Sequence, residues 1–359
     1  MRTWLTQGYP SIICLLLLSL CAAKAQTTTP SQTSSLTEQQ KSDFRDQMLS
    51  QAVQGPGCYE AKYQDTTWTK VDCKPPAKAP HPLAITRSRT TNVGGGNDYF
   101  AVVAGTISSA TGSFANANGV SSVYSPIYGG PPKTVYANMY SLQLNTNTFA
   151  SPKCGGVSGC AWAQFLFDPI ECEGNTPCVV IEYWLFNQTT CEDGWTLYTD
   201  PSGQTANGCY VDTLGENAPI PAAADLGKVT LIGRANFNGN DEAILQTPDG
   251  TLHRAVSAAS TLDLSKYWTG AEFNIFGECC VYEAFLNAGS KLTVRLSTTS
   301  PSPLKCLDPQ LFSGPTAETN NLSLAAGCSI VSGAPPAISF DESGGGDPTQ
   351  SGYTIGDLH

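Results

Sequence analysis

The sequence predicts an all-β protein: a sandwich of antiparallel strands with one short helix on its N-terminal side. Two observations carry this. Short apolar or alternating runs, dominated by β-branched and aromatic residues, recur from about Gly94 onward. Clusters of Gly and Asn separate these runs at short intervals, the turn signals of a sheet protein. The chain carries no internal repeat.

In order along the chain, residues 1–25 read as an export signal. Arg2 supplies the charge, 12–20 an apolar stretch too short to span a membrane, and Ala23-Lys24-Ala25 the small residues a signal peptidase reads. Cleavage after Ala25 is expected, giving a secreted, extracellular protein. Residues 26–56 then hold a Thr/Ser/Gln-rich linker and an amphipathic helix over 36–53. Phe44, Met48, Leu49, Ala52 and Val53 fall at helical spacing, with Gly55-Pro56 as the stop. This helix is either a propeptide or a part of the domain, and packing on the domain is the favoured reading. Residues 57–340 are expected to form the sandwich, with a Cys- and Pro-rich lead-in at 57–90. The strand-like runs are 99–107, 121–128, 139–144, 161–167, 179–186, 228–234, 242–246, 251–256, 272–276 and 291–297. Those at 161–167 and 179–186 are aromatic on both faces and are placed at the centre of a sheet. Residues 263–268 read as a single helical turn. The polar, Gly-rich stretch 341–359 is expected to be disordered.

The net charge is −11, and only 14% of residues are charged. That lacks the basic footprint nucleic acid requires and does not suit anionic membrane surfaces. A chain with few ion pairs loses little when its carboxylates protonate, so the composition fits work at acid pH. Of the 14 Cys, Cys14 and Cys21 leave with the signal, and the even remainder suits an oxidising compartment. Their spacing suggests the local pairs Cys58–Cys73, Cys154–Cys160, Cys172–Cys178, Cys191–Cys209 and Cys306–Cys328. Cys279 and Cys280 are adjacent, so each is expected to find a different partner and break one of these pairs. With only three His (His81, His253, His359) and no Cys-x-x-Cys set, no metal site is read. No cofactor is expected, and a monomer is expected. Asn187-Gln188-Thr189 and Asn321-Leu322-Ser323 are glycosylation acceptor sequences.

Signatures of a nucleophilic serine hydrolase are missing: there is no Gly-x-Ser-x-Gly elbow, and His is too scarce for a triad. Gly94-Gly95-Gly96 precedes a strand rather than following one, which makes it a turn and not a phosphate cradle. His253, beside Arg254 in a strand-like run, reads as a surface residue. What remains is carboxylate and amide chemistry. Gln164, Glu182 and Glu272 lie within strand-like runs, and Glu278 lies just past one. A Glu inside a sheet costs free energy unless it is partnered or lines a wet groove. Glu272 stands out for the aromatic run around it, whereas for Glu182 a solvent-facing position is the favoured reading.

The order of these segments resembles the eqolisin family of glutamic peptidases, secreted acid endopeptidases on a concanavalin-like β-sandwich, over about residues 97–297. Residues 107–114 resemble that family's early strand pair. Residues 163–168 resemble the segment holding its catalytic glutamine, and Glu182-Tyr183-Trp184 falls where the family has an aromatic strand. Residues 271–294 resemble the segment holding its catalytic glutamate. The family's Trp-Val-Gly-Ile-Asp-Gly strand is replaced here by Tyr140-Ser141-Leu142-Gln143-Leu144-Asn145, and Phe273 stands where a Trp follows the catalytic Glu. The resemblance implies a concanavalin-like jelly roll and an acid endopeptidase. Its dyad would be Glu272, a general base on water, and Gln164, which holds the oxyanion; Tyr183 and Trp184 would wall a groove for a polypeptide.

Two other functions fit the residues. A jelly-roll glycoside hydrolase would pair Glu182 with Glu272 across a cleft and take a polysaccharide. A non-catalytic carbohydrate- or wall-binding protein would stack sugars on exposed Trp162, Trp184, Trp195 and Trp268.

Overall fold

Two β-sheets stack face to face over an apolar interior. The computed structural model describes residues 36–77, 98–198, 207–278, 282–307 and 318–357. Residues 1–25, read as an export signal, and 26–35, read as a linker, lie outside the described residues, as do His81, Gly94–Gly96, Cys279, Cys280 and His359. No described helix is long and apolar enough to cross a membrane.

The front sheet has nine described strands. Its path runs Thr196–Tyr198, Gly208–Asp212, Thr176–Phe186, Ala161–Cys172, Ser141–Thr146, Gly270–Phe276, Phe100–Val103 and Leu304–Leu307, with Glu216–Asn217 attached beside Thr176–Phe186. The back sheet has ten, among them Gly57–Ala61, Leu252–Ala258, Asn240–Gln246, Thr230–Phe237, Ser109–Asn118, Ser290–Thr299 and Ala337–Gly344 in that spatial order. A third sheet of five short strands includes Glu283–Leu286, Val123–Ser125 and Thr134–Ala137. Pairing is antiparallel apart from two short parallel contacts in that third sheet.

The interior is filled from both main sheets by Phe114, Phe165, Phe167, Leu231, Leu245, Trp268, Phe273, Val294 and Leu296, among others. Two glycines of the back sheet set the depth of this packing. A Cβ on Gly112 would come within 2.0 Å of the Phe273 ring, and one on Gly233 within 2.5 Å of the Phe165 ring. Phe165 and Phe273 directly follow Gln164 and Glu272, so the fit of ring into glycine notch fixes the depth of both candidate strands.

The helix covers Glu38–Leu49, shorter than the 36–53 expected. Thr37 and Gln40 form a capping box at its start. Ser50 ends it, and its last carbonyls accept from Trp68 Nε1 (3.0 Å to Met48) and Arg234 Nη1 (2.9 Å to Leu49), so Gly55-Pro56 is not the stop. Phe44 and Met48 pack on Ile232, Ile244 and Leu252, which face away from the sandwich interior.

Three expectations need correction. Ser109–Asn118 is a ten-residue strand at the centre of the back sheet, absent from the strand-like runs because its inward positions Ala110 and Gly112 are small. The stretch after 340 is not disordered through its described part. Strand Ala337–Gly344 pairs along its length with Ser290–Thr299, and Thr354–Gly356 pairs with Thr134–Ala137, so backbone hydrogen bonds compensate for a Gly-rich composition. The five local disulfides all form and use every described cysteine, so Cys279 and Cys280 break none of them. Of the two acceptor asparagines, Asn187 is exposed. The Asn321 side chain instead accepts from Leu286 N at 2.9 Å and donates to Leu286 O at 3.0 Å, which commits it to the sheet.

Gly112→Ala is expected to cost about 1–3 kcal/mol, because Phe273 has nowhere to retreat. Gly346→Ala, whose added carbon meets nothing within 4 Å, should stay within about 0.5 kcal/mol. Urea unfolding of the two variants measures the difference.

Candidate active site

Four polar side chains stand in one row across the front sheet. Glu182 lies opposite Gln164, Gln164 opposite Asn145, and Asn145 opposite Glu272. Directly opposed residues of antiparallel strands share a face. Their chain neighbours Phe165, Leu144 and Phe273 point into the interior, so the row lies on the outer face. Glu182, Gln164, Asn145 and Glu272 are 1%, 4%, 0% and 2% exposed, so each needs a partner inside the protein.

The partners form a ladder of amides. Gln164 Nε2 donates to Gln143 Oε1 (2.9 Å) and to Asn145 Oδ1 (3.0 Å). Asn145 Nδ2 donates to Glu272 Oε2 (3.0 Å) and, more weakly, to Gln143 Oε1 (3.3 Å). Gln143 Nε2 passes the chain on to Ser141 Oγ and Glu318 Oε2, both at 2.8 Å. Gln164 and Glu272 thus meet through Asn145 rather than through a single gap. The signal that could have revealed the ladder is the period-2 alternation Ser141, Gln143, Asn145, in the strand that replaces the family's Trp- and Asp-bearing one.

A second carboxyl joins Glu272. Asp98, 1% exposed, shares a hydrogen bond with it. Among the described residues no N–H or hydroxyl donor reaches Asp98 Oδ2, and two carboxylates accept without donating, so this bond requires a proton between them. Burial raises both groups. The Glu272 charge and the shared bond raise Asp98 further, while the same bond pulls Glu272 down. Glu272 is therefore the member that ionises first, at about 7, and Asp98 keeps the proton. Nothing in the sequence pattern marks Asp98.

The other candidates lie apart from this pair. Tyr183 points the opposite way, into the interior, where its hydroxyl donates to Asp241 Oδ2 at 3.1 Å; strand alternation separates it from Glu182 and Trp184, and it walls no groove beside them. Trp184 donates its indole N–H to Glu182 and stacks on Tyr210 with ring centroids 5.1 Å apart. Trp162 Nε1 donates to Thr146 O at 2.8 Å. Trp162, Trp184 and Trp268 are buried and Trp195 half-buried, so the exposed sugar-stacking platform is not formed. Glu182 and Glu272 are three strand spacings apart, roughly 14 Å of backbone, against the ~5–9.5 Å that paired glycosidase carboxyls need.

No family model and no curated protein matches the chain. Among solved structures it is similar to a scytalido-glutamic peptidase crystallised with a transition state analog inhibitor. That likeness covers 70% of this chain and 98% of that one, at 15% identity and a TM-score of 0.27. The resemblance is remote, and the roles of Gln164, Asn145, Glu272 and Asp98 are argued from this chain's own geometry.

Burial also lifts two further carboxyls, Glu342 to about 8 and Asp241 to about 7. A carboxyl whose pKa is raised on folding favours the folded state below its unfolded value near 4, and that contribution is lost as pH rises through the folded value. Asp347 runs the other way, as does Asp249, lowered by Thr247 and Thr251 against its own partial burial. The raised carboxyls are the more buried set, so Tm is expected to be about 5 °C or more higher at pH 4.5 than at pH 8. Glu342→Gln should narrow the gap, as read by calorimetry across that range.

Proposed function

We propose that this chain is a secreted endopeptidase of glutamic type, in which Glu272 is the general base on water. The observation that supports this reading is the continuous hydrogen-bonded line from Gln164 through Asn145 to Glu272, with Asp98 holding a proton on the far side of Glu272.

The chemistry follows from the donors. Ionised Glu272 takes a proton from water as the oxygen adds to the scissile carbonyl. The oxyanion that forms accepts an N–H of Gln164, which exchanges one of its present acceptors for it; an amide does this at any pH. Glu272 then gives the proton to the departing amine as the C–N bond breaks. Asp98, still protonated, keeps Glu272 oriented and disperses its charge. Asn145 fixes the distance between base and oxyanion donor.

Glu272 is closed off from solvent, so a peptide reaches it only after the covering residues open. Opening admits water, and water removes the desolvation that raises this carboxyl. The rising limb of kcat, which reports the opened complex, is therefore expected between about pH 4 and 5, near the solvated value of a Glu, rather than at 7. This is how a site that is dry at rest suits work in acid.

A second reading rests on the same burial. Every amide N–H of Gln143, Asn145 and Gln164 is spent inside the ladder, which suits a polar core that only specifies the fold of a non-catalytic secreted protein.

Cleavage of a denatured protein from pH 2 to 7 separates the two. On the peptidase reading Glu272→Gln removes activity by about 10³-fold or more and Gln164→Ala by about 10²–10³-fold. Glu182→Gln retains most of it, where a two-carboxylate glycosidase would lose it. Absence of cleavage by the wild-type protein throughout that range would establish the non-catalytic reading.

A further inference from the structure

Away from the row, Glu60, Glu216 and His253 each bring one ligand atom to within 4.8 Å of the other two. Glu60 and His253 are direct partners across strands Gly57–Ala61 and Leu252–Ala258 of the back sheet, so their side chains share a face. Glu216 arrives from the front sheet, on the short strand paired with Thr176–Phe186. His253 is thus not the surface residue expected from its polar neighbourhood: it is 4% exposed, and Glu216 is 2% exposed.

His253 Nδ1 and Glu216 Oε1 are 3.2 Å apart, which a simple histidine–carboxylate hydrogen bond would explain. It would leave Glu216 Oε2 unexplained, which is buried with no hydrogen-bond partner among the described residues. An orphaned carboxylate oxygen on a side chain more than nine-tenths buried, beside two further candidate ligands, is costly unless something else binds there.

A metal ion fits that requirement. A 3.2 Å separation subtends about 100° at an ion roughly 2.1 Å from each atom, close to tetrahedral. The donor set is one imidazole nitrogen and two carboxylates, which suits Zn²⁺ and its neighbours better than Ca²⁺ or Mg²⁺, whose shells are all oxygen. Glu60 keeps 28% of its side chain exposed, so the third ligand stands at a mouth open to solvent and a water can complete the shell.

We infer that Glu60, Glu216 and His253 form a binding site for one divalent transition-metal ion of the Zn²⁺ class, which clips the edge of the back sheet to the front sheet. The clip lies next to the Cys58–Cys73 disulfide and the backbone pairing of Lys74 with Gly215, where the lead-in also joins the sheets. None of its residues belongs to the Gln164–Glu272 row, so it stands independently of the peptidase reading.

The test is a calorimetric titration of the chelator-stripped full-length protein with Zn²⁺ at pH 7.5, with Tm followed alongside. One Zn²⁺ per chain and a raised Tm are expected, with Mg²⁺ at equal concentration giving neither. Glu60→Gln, at a partly exposed position, should weaken Zn²⁺ binding at least tenfold and leave the Tm of the stripped protein unchanged. His253→Gln should abolish binding. No saturable binding to the wild-type protein would overturn the site, as would equal affinity in wild type and Glu60→Gln, which would assign the zinc to other ligands. Equal effects of Mg²⁺ and Zn²⁺ would overturn the transition-metal assignment. Should His253→Gln fail to fold, the Glu60→Gln titration alone decides.

Discussion

The cost of burying amides and carboxyls governs this structure. An unpaired carboxamide in a dry interior costs about 1–3 kcal/mol, and an unpaired carboxylate more. The outer face of the front sheet buries Gln143, Asn145, Gln164, Glu182 and Glu272 within four adjacent strands. Gln143, Asn145, Gln164 and Glu272 bond one another across strands, so the ladder exists in one strand register. A slip of one residue would send the ladder inward and Phe165 and Phe273 outward. On the inner face those two rings lock into the notches at Gly233 and Gly112. The central strands are thus held in register from both sides, by polar pairing on one and steric fit on the other.

The same burial decides where protons reside. Asp98, Glu272, Glu342 and Asp241 all sit where ionisation is opposed by desolvation. Such groups make the folded state a proton acceptor, and a protein built this way is strengthened rather than unfolded by moderate acid. Composition suggested tolerance of acid from a shortage of ion pairs to lose; the buried carboxyls that favour the neutral form are a separate reason to expect it.

Fold class and most strands were legible because β-branched and aromatic alternation is a local signal, and the turn residues punctuate it. Where tertiary packing substitutes for hydrophobicity, the signal vanished. Ser109–Asn118 is missing from the strand-like runs, although the family resemblance placed an early strand pair at 107–114, because its inward Gly112 must be small to admit Phe273, a residue more than 150 positions away. The paired stretch beyond 340 reads as disordered because its stability comes from backbone hydrogen bonds to a strand that any side chains could line. At the candidate site, Gln164 and Glu272 were legible as polar residues in apolar strands. Asn145 and Asp98 were not, since one looked like the loss of a family motif and the other has no pattern at all. Only strand order brings them together, and strand order is a global property of the fold.

That strand order also bears on whether the N-terminal helix guards the site. The helix packs on the outer face of the back sheet, with the whole thickness of the sandwich between it and the row. There it covers Ile232, Ile244 and Leu252, and its end meets a cluster of charge. Glu242 pairs with both Arg234 and Arg254, and those two arginines also donate to the carbonyls of Leu49 and Gln51. Lifting the helix and the residues just after it away would strip half-buried Arg234 and buried Arg254 of carbonyl acceptors and expose three aliphatic side chains, while leaving the surroundings of Glu272 untouched. An element bound in this way belongs to the stability of the domain. Whatever restrains Glu272 must therefore act from the front face, through the residues that cover the ladder.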